Sequence, residues 1–351
     1  MVATRLIVGA ATVAAAIAIL IGSSGHSSAG SPHHPFHFDP PPKTISRLAA
    51  GPPMPVAVIK APAPSASLAY GYGALWSLSG TDVMRIQPKW MRKSLFRVVG
   101  RPCENRQIAT GLGGIWFVSG NCSEPGTLTE VSPGSGRVVW RVRMPALLGG
   151  VAASSRTGTL LVTALNGSAQ YPAFTVSPGM HRVIALRGTV AGPVGAGGGS
   201  SGLATVIDTP SGFWADSGGY GGVVSVVPHP PRVTARVYYV NLQDTSIAYG
   251  GGSLWAALGN QVLQLDAATG DETGPQLEPS SGITAVAYGD AAVWIATSTG
   301  NLYRYAPGDS SLQLAAHLPR PATSLVAGGG YVWAGSVSSN LIERVGPLPP
   351  V

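Results

Sequence analysis

Residues 246–270 read SIAYGGGSLWAALGNQVLQLDAATG, and this stretch has two physical readings. As a nucleotide-binding loop, its glycines would cradle a phosphate, which needs a strand before them and a helix after. As one copy of a repeat, the glycines turn a strand hairpin, and Trp255 and the alternating VLQLD are packing positions. The rest of the chain decides between them. The same frame recurs as SLAYGYGALWSL from Ser67, QIATGLGGIWFV from Gln107, AVAYGDAAVWIA from Ala285 and SLVAGGGYVWAG from Ser324. In each, a small or apolar run reaches a Gly and a Trp follows five residues later, giving Trp76, Trp116, Trp255, Trp294 and Trp333. A looser copy, TPSGFWADSGG, carries Trp214, and SSRTGTLLVTAL puts Leu161 near the Trp position.

These seven positions are separated by 40, 45, 53, 41, 39 and 39 residues, near the period of four-stranded propeller blades. After each Trp strand come a polar turn, an alternating strand (VMRIQP, LTEVSP, VLQLDA, LYRYAP) and a final strand such as RVVWRVRMP. The last unit supplies only three strands, and VAVIKAP from Val56 can supply the fourth. The sequence thus specifies an all-β fold, a seven-bladed β-propeller over residues 55–351 closed by an N-terminal strand that removes both edges. Gly250, Gly251 and Gly252 are expected in a turn that needs positive φ, and the tryptophans between neighbouring blades. Composition agrees: 11% charged residues, 48 Gly and 30 Pro in 351 residues are too apolar for a disordered chain and too rich in turn formers for a helical one.

Residues 1–22 read as a signal peptide or an N-terminal membrane anchor. Arg5 precedes an uncharged apolar run over 6–21, which as a helix would span roughly 24 Å against a hydrocarbon core of ~30 Å. Ser27-x-Ala29 offers a cleavage site for the first alternative. No Lys or Arg follows Arg5 until Lys43, which predicts an extracytoplasmic location for the rest, secreted or held by the anchor. Residues 23–54, rich in Pro, Ser, Gly and His, read as a disordered linker; His33, His34, His37 and Asp39 belong to that composition rather than to a metal site. Cys103 and Cys122, the chain's two cysteines, lie in loops on one face of blade 2, and in an exported protein they are expected to form a disulfide.

The pattern ayGgGslWaa…vlqlDaatG resembles the YVTN, NHL and streptogramin-lyase-like propellers over roughly residues 55–347. For the lyase-like members the resemblance implies a His base, acidic partners and a divalent metal at the channel mouth. The turns between second and third strands here carry Asp82, Glu124 and Asp216 and no His; His181 and His229 fall in third-to-fourth turns and His317 in an outer strand. No catalytic residue, metal ligand or cofactor is therefore assigned. A metal-dependent lyase- or hydrolase-like enzyme at the mouth and a scaffold subunit of an envelope complex are the competing readings. The same turns hold Tyr171, Tyr220, Asn260, Asn301 and Asn340, hydrogen-bonding groups beside aromatics that suit a neutral polar ligand at the channel mouth. GGGSSG at 197–202 matches two motifs that need helices this repeat does not supply, and reads as a loop between blades.

Charge is one-sided. Residues 89–236 hold 14 Lys and Arg against 5 Asp and Glu, net +9, whereas 237–317 hold 1 against 7, net −6. The basic residues Lys89, Arg92, Lys93, Arg97 and Arg101, with Arg137, Arg141 and Arg143, concentrate in outer strands, where charge blocks sheet-to-sheet aggregation. Interleaved with Trp90, Phe96 and Trp140, they also suit an envelope polymer, an anionic membrane surface or a protein partner. Nucleic acid is not expected outside the cytoplasm, and the chain reads as a monomer.

Overall fold

In a computed structural model, the described residues are 44–45, 48–50 and 53–348, apart from 66, 99–106, 120–124, 165–172, 187–204, 217–221, 229–230 and 239–244. They form seven sheets, and in blades 1 to 6 four antiparallel strands are hydrogen-bonded in chain order. Blades 1 to 6 span 68–97, 108–143, 148–185, 206–238, 245–277 and 283–317. Blade 7 takes three strands from 324–345, and its fourth is Val56–Lys60, paired antiparallel from Val56↔Val345 to Lys60↔Leu341. The ring therefore closes by the strand that the incomplete last repeat calls for. The signal or anchor segment, Cys103, Cys122 and the 197–202 loop lie outside the described residues. Among the described residues no helix is long and apolar enough to cross a membrane.

Each side chain that marks a repeat sits at a junction between blades. Trp76, Trp116, Trp214, Trp255, Trp294 and Trp333 are all fully buried, and each anchors a cluster that joins its own blade to the next. Leu161 does so between blades 3 and 4. Burying a Trp removes on the order of 200 Å² of apolar surface, roughly 5 kcal/mol of transfer free energy before entropy is counted.

The frame G-x-x-x-x-W has a hydrogen-bonding reason. The indole N–H donates to the carbonyl of the Gly five residues earlier in five blades: Trp76 to Gly71 at 3.1 Å, Trp116 to Gly111 at 2.8 Å, Trp255 to Gly250 at 3.2 Å, Trp294 to Gly289 at 3.1 Å and Trp333 to Gly328 at 3.2 Å. Trp214, which has Thr209 at that position, donates instead to Ala267 of blade 5 at 2.8 Å. The three glycines at 250–252 divide the work. Gly251 and Gly252 carry the positive φ of the hairpin turn, +62° and +80°. Gly250 answers a different need: a Cβ there would stand 1.9 Å from the Tyr288 ring of blade 6. In the same stretch Asp266 accepts the N–H groups of Ala268 and Thr269, both at 2.8 Å. Those bonds tie the next turn and hold its carboxyl below the ordinary range.

The linker expectation needs a correction at its C-terminal end. Thr44–Ile45 and Leu48–Ala50 are strands, added parallel to the outer strands of blade 5 (Thr44↔Gln276) and blade 6 (Leu48↔Leu312). Pieces of two and three residues are too short to show a period. The N-terminal segment thus runs along the rims of blades 5 and 6 before closing blade 7.

Removing residues 1–60 should expose the edge of the 339–345 strand and cause aggregation or loss of a cooperative melt. Removing 1–40 should leave the melting temperature unchanged, and removing 1–50 should lower it modestly by uncovering blades 5 and 6. Identical melts for all three truncations would refute closure by this strand.

Candidate functional site

The innermost strands leave unpaired N–H groups along the channel, and side chains at one fixed position receive them. Four residues before the motif Gly, Ser67 accepts the Ile108 N–H at 2.9 Å and Ser246 accepts that of Val286 at 3.0 Å, each from the next blade. Gln107 occupies this position in blade 2 and accepts the Val151 N–H of blade 3 at 3.1 Å. Blade 3 has Gly150 there, without a side chain, and Gln107 reaches across to blade 4 in its place. Its Oε1 also accepts the Val206 N–H at 2.9 Å, and its Nε2 donates to the Val206 carbonyl at 2.8 Å. One amide thereby ties three blades.

The channel holds a cavity of about 270 Å³ whose wall includes Gln107, Thr205, Ser246, Tyr249, Tyr288 and Ser324, with apolar residues between. Every residue of that wall is uncharged. It offers hydroxyls, an amide and two phenols. Asp82, Asn260, Asn301 and Asn340 are not part of it. Second-to-third turns lie one strand or more outward from the axis, and the structure distributes these residues over blades 1, 5, 6 and 7. Asp82 opens the third strand of blade 1 opposite Arg97, and Asn260 is exposed in a turn. Asn301 is occupied structurally: its Nδ2 donates to the Tyr303 hydroxyl at 3.2 Å and its Oδ1 meets His317 Nδ1 at 2.8 Å. Asn340 accepts the Ala61 N–H on its backbone carbonyl at 2.7 Å. Glu124, Tyr171 and Tyr220 lie outside the described residues, and of Asp216 only the backbone is described, ending the second strand of blade 4. Sequence pattern alone does not mark this wall, because a single polar residue at the start of a strand looks like any loop residue; the signal of Ser67, Gln107, Ser246 and Ser324 is their constant four-residue spacing to the motif Gly.

The basic residues do come together. Arg92, Lys93 and Arg97 lie on the outer strand of blade 1, Arg141 and Arg143 on that of blade 2, with Lys89 and Arg137 just before them, all exposed; Arg101 lies outside the described residues. Lys89 stands over the Trp90 ring at 4.8 Å, and Lys93 donates to the Lys60 carbonyl of the closing strand at 2.9 Å. Trp90 is 65% exposed and Val139 61%. Among the described residues none of these cations is in an ion pair; the ion pair found is Arg304–Asp309 in blade 6.

One carboxylate is deeply buried. Glu343, 3% exposed on the third strand of blade 7, faces the blade 6 side beside its register partner Ala334. Burial lifts its pKa from 4.5 to about 7, while a hydrogen bond from the Arg320 backbone pulls the other way.

No family model matches the chain, and no curated protein matches it. Solved structures do. The WD40 domain of Neurospora crassa Pan2 superposes with a TM-score of 0.65 at 10% identity, covering 86% of this chain and 99% of that one. A structure of YCF48 bound to D1 peptide gives 0.61 at 14% identity, covering 86% and 97%. An extracellular domain from B. thetaiotaomicron gives 0.58 at 14% identity, covering 81% of this chain and 40% of that one. The shared property is the seven-bladed fold. At these identities the likeness carries architecture and not the narrower resemblance to YVTN, NHL or lyase-like propellers.

Two measurements follow from this geometry. Gln107→Leu should lower unfolding free energy by about 2–3 kcal/mol, because three buried backbone groups lose their partner; chemical denaturation reads this directly. For Glu343, the folded state holds a proton between pH 4.5 and about 7 that the unfolded state releases. Stability should therefore fall as pH rises through that window, at up to roughly 1.4 kcal/mol per pH unit, and then level off. Glu343→Gln should flatten that slope and melt higher than the parent at pH 8.

Proposed function

We propose that this chain is an exported, non-catalytic binding module that rests the flank formed by blades 1 and 2 on an anionic surface of the cell envelope. The observation that carries the reading is the set of exposed cations on two adjacent outer strands, unneutralised among the described residues and flanked by exposed Trp90 and Val139. Cations attract anionic headgroups or polymers at about 1 kcal/mol each near a membrane, and an exposed indole suits the boundary between water and lipid. The uncharged wall of the central cavity supports a binding role over acid–base chemistry, since proton transfer needs titrating groups aimed at a substrate. Extracytoplasmic placement rests on the charge and hydropathy of residues 1–22. The peptide bound to YCF48 favours a second reading, in which the same flank meets an acidic protein segment.

The full-length protein should co-sediment with phosphatidylglycerol vesicles more strongly than with phosphatidylcholine vesicles, and added salt should weaken the difference as screening shortens the reach of the charges. Replacing Lys89, Lys93 and Arg97 by Gln should reduce this preference without changing the melting temperature, because exposed charges contribute little to folding. Equal binding to both lipids would reject an anionic target.

A further inference from the structure

The third-strand residue paired with the motif Trp is arginine in three blades: Arg85 opposite Trp76, Arg304 opposite Trp294 and Arg344 opposite Trp333. Arg85 and Arg344 both stack on an aromatic ring and both have a shielded Nε with no partner among the described residues, but only Arg304 and Arg344 also make a polar contact that fixes the guanidinium. Arg304 pairs with Asp309 at 3.7 Å; Arg344 stacks on Tyr331 at 4.4 Å and donates to the Pro88 carbonyl at 2.5 Å. Arg85 lies over the Trp76 ring at 5.6 Å, and its Nε is shielded from solvent with no partner among the described residues.

Register shows what Arg85 faces. Trp76, Arg85 and Ser94 are paired directly across three strands of blade 1 and so share one sheet face, and Trp76 belongs to the core between blades 1 and 2. Phe117, Thr129 and Arg141 are paired in the same way across blade 2, and Phe117 belongs to that same core. The two rows therefore face each other across the junction of blades 1 and 2. Arg92 shares the face of Ser94, and Arg143 that of Arg141, by the two-residue alternation of strands. Thr129 is 1% exposed, and its Oγ1 also has no partner among the described residues. Asp82 and Glu130 lie one residue out of phase and fall on the opposite faces. The Phe96 ring stands where a Cβ on Gly136 would be, 2.0 Å away, clamping the outer strand of blade 1 to a turn of blade 2.

Protection of an open edge accounts for cations on outer strands. It does not account for Arg85, whose strand is paired on both sides. We propose that the cleft between blades 1 and 2 is an oxyanion site that takes a phosphate group, with Arg85 and Arg141 as its walls and the Thr129 hydroxyl as a further donor. Forked guanidinium donors match the several oxygens and the double charge of phosphate better than a single carboxylate. This inference rests on the binding reading above and names the group that is bound.

The test uses full-length protein titrated calorimetrically with inorganic polyphosphate in low-chloride buffer, beside sedimentation with phosphatidylglycerol vesicles. Arg85→Gln and Arg141→Gln should each weaken polyphosphate binding about tenfold or more, and Thr129→Val several-fold. The Lys89, Lys93 and Arg97 triple Gln variant should keep polyphosphate affinity within about twofold, since Lys93 and Arg97 lie on the other face of their strand. Unchanged polyphosphate affinity in both arginine variants overturns the cleft, whatever the vesicles do. Equal sedimentation with both lipids, with polyphosphate binding intact and arginine-dependent, overturns the surface reading and leaves the cleft standing. Loss of vesicle binding in the cleft variants identifies a lipid headgroup as the phosphate source; retention identifies a soluble or polymeric phosphate. Should Arg85→Gln fail to fold, Arg141→Gln on the exposed outer strand carries the same comparison.

Discussion

The fold depends on one small coupling: an indole N–H held by the carbonyl of a glycine five residues earlier, with the next blade lying against that same glycine. At Gly71 the neighbour is Thr110, at Gly111 Ala153, at Gly250 Tyr288, at Gly289 Ala327 and at Gly328 Tyr70. The hydrogen bond fixes the Trp rotamer, the missing Cβ sets the spacing between blades, and the Trp fills the junction so created. Hydrophobic burial alone would pull sheets together without choosing their separation. A bond to the backbone at the point of closest approach does choose it. The last of these contacts, Gly328 against Tyr70, joins blade 7 to blade 1, so the same geometry that spaces neighbours also completes the ring.

The architecture was legible in the sequence because this coupling repeats at constant spacing. Where the coupling is altered, the signal fades in step. Blade 3 has Ser154 and Leu161 in place of Gly and Trp, and blade 4 has Thr209, so that Trp214 finds a carbonyl in another blade. The surface proposed to bind an anion was less legible. Its outer cations could be read from basic strands, but Arg85 and Thr129 emerge only from register, which decides which face each residue joins. Gln107 was hidden for a similar reason: its role follows from a side chain that blade 3 lacks.

The one-sided charge has a partial structural account in the path of the N-terminal segment. Blades 5 and 6, within the acidic stretch, have their outer strands covered by Thr44–Ile45 and Leu48–Ala50. Blades 1 to 4, whose outer strands fall in the basic stretch, have no further strand paired to those outer strands among the described residues. An open strand offers a row of unpaired backbone groups, and Lys and Arg along it oppose addition of a foreign strand. A covered strand has no such need.

Closure between Val56–Lys60 and the 339–345 strand joins stretches almost a whole chain apart. Every blade can assemble from local hairpins, which form quickly, whereas this last pairing must wait for the final strand to be synthesised. Until then the polypeptide is an open arc with a free sheet edge at one end and an unplaced strand at the other. The order of synthesis is thereby written into the ring as a seam.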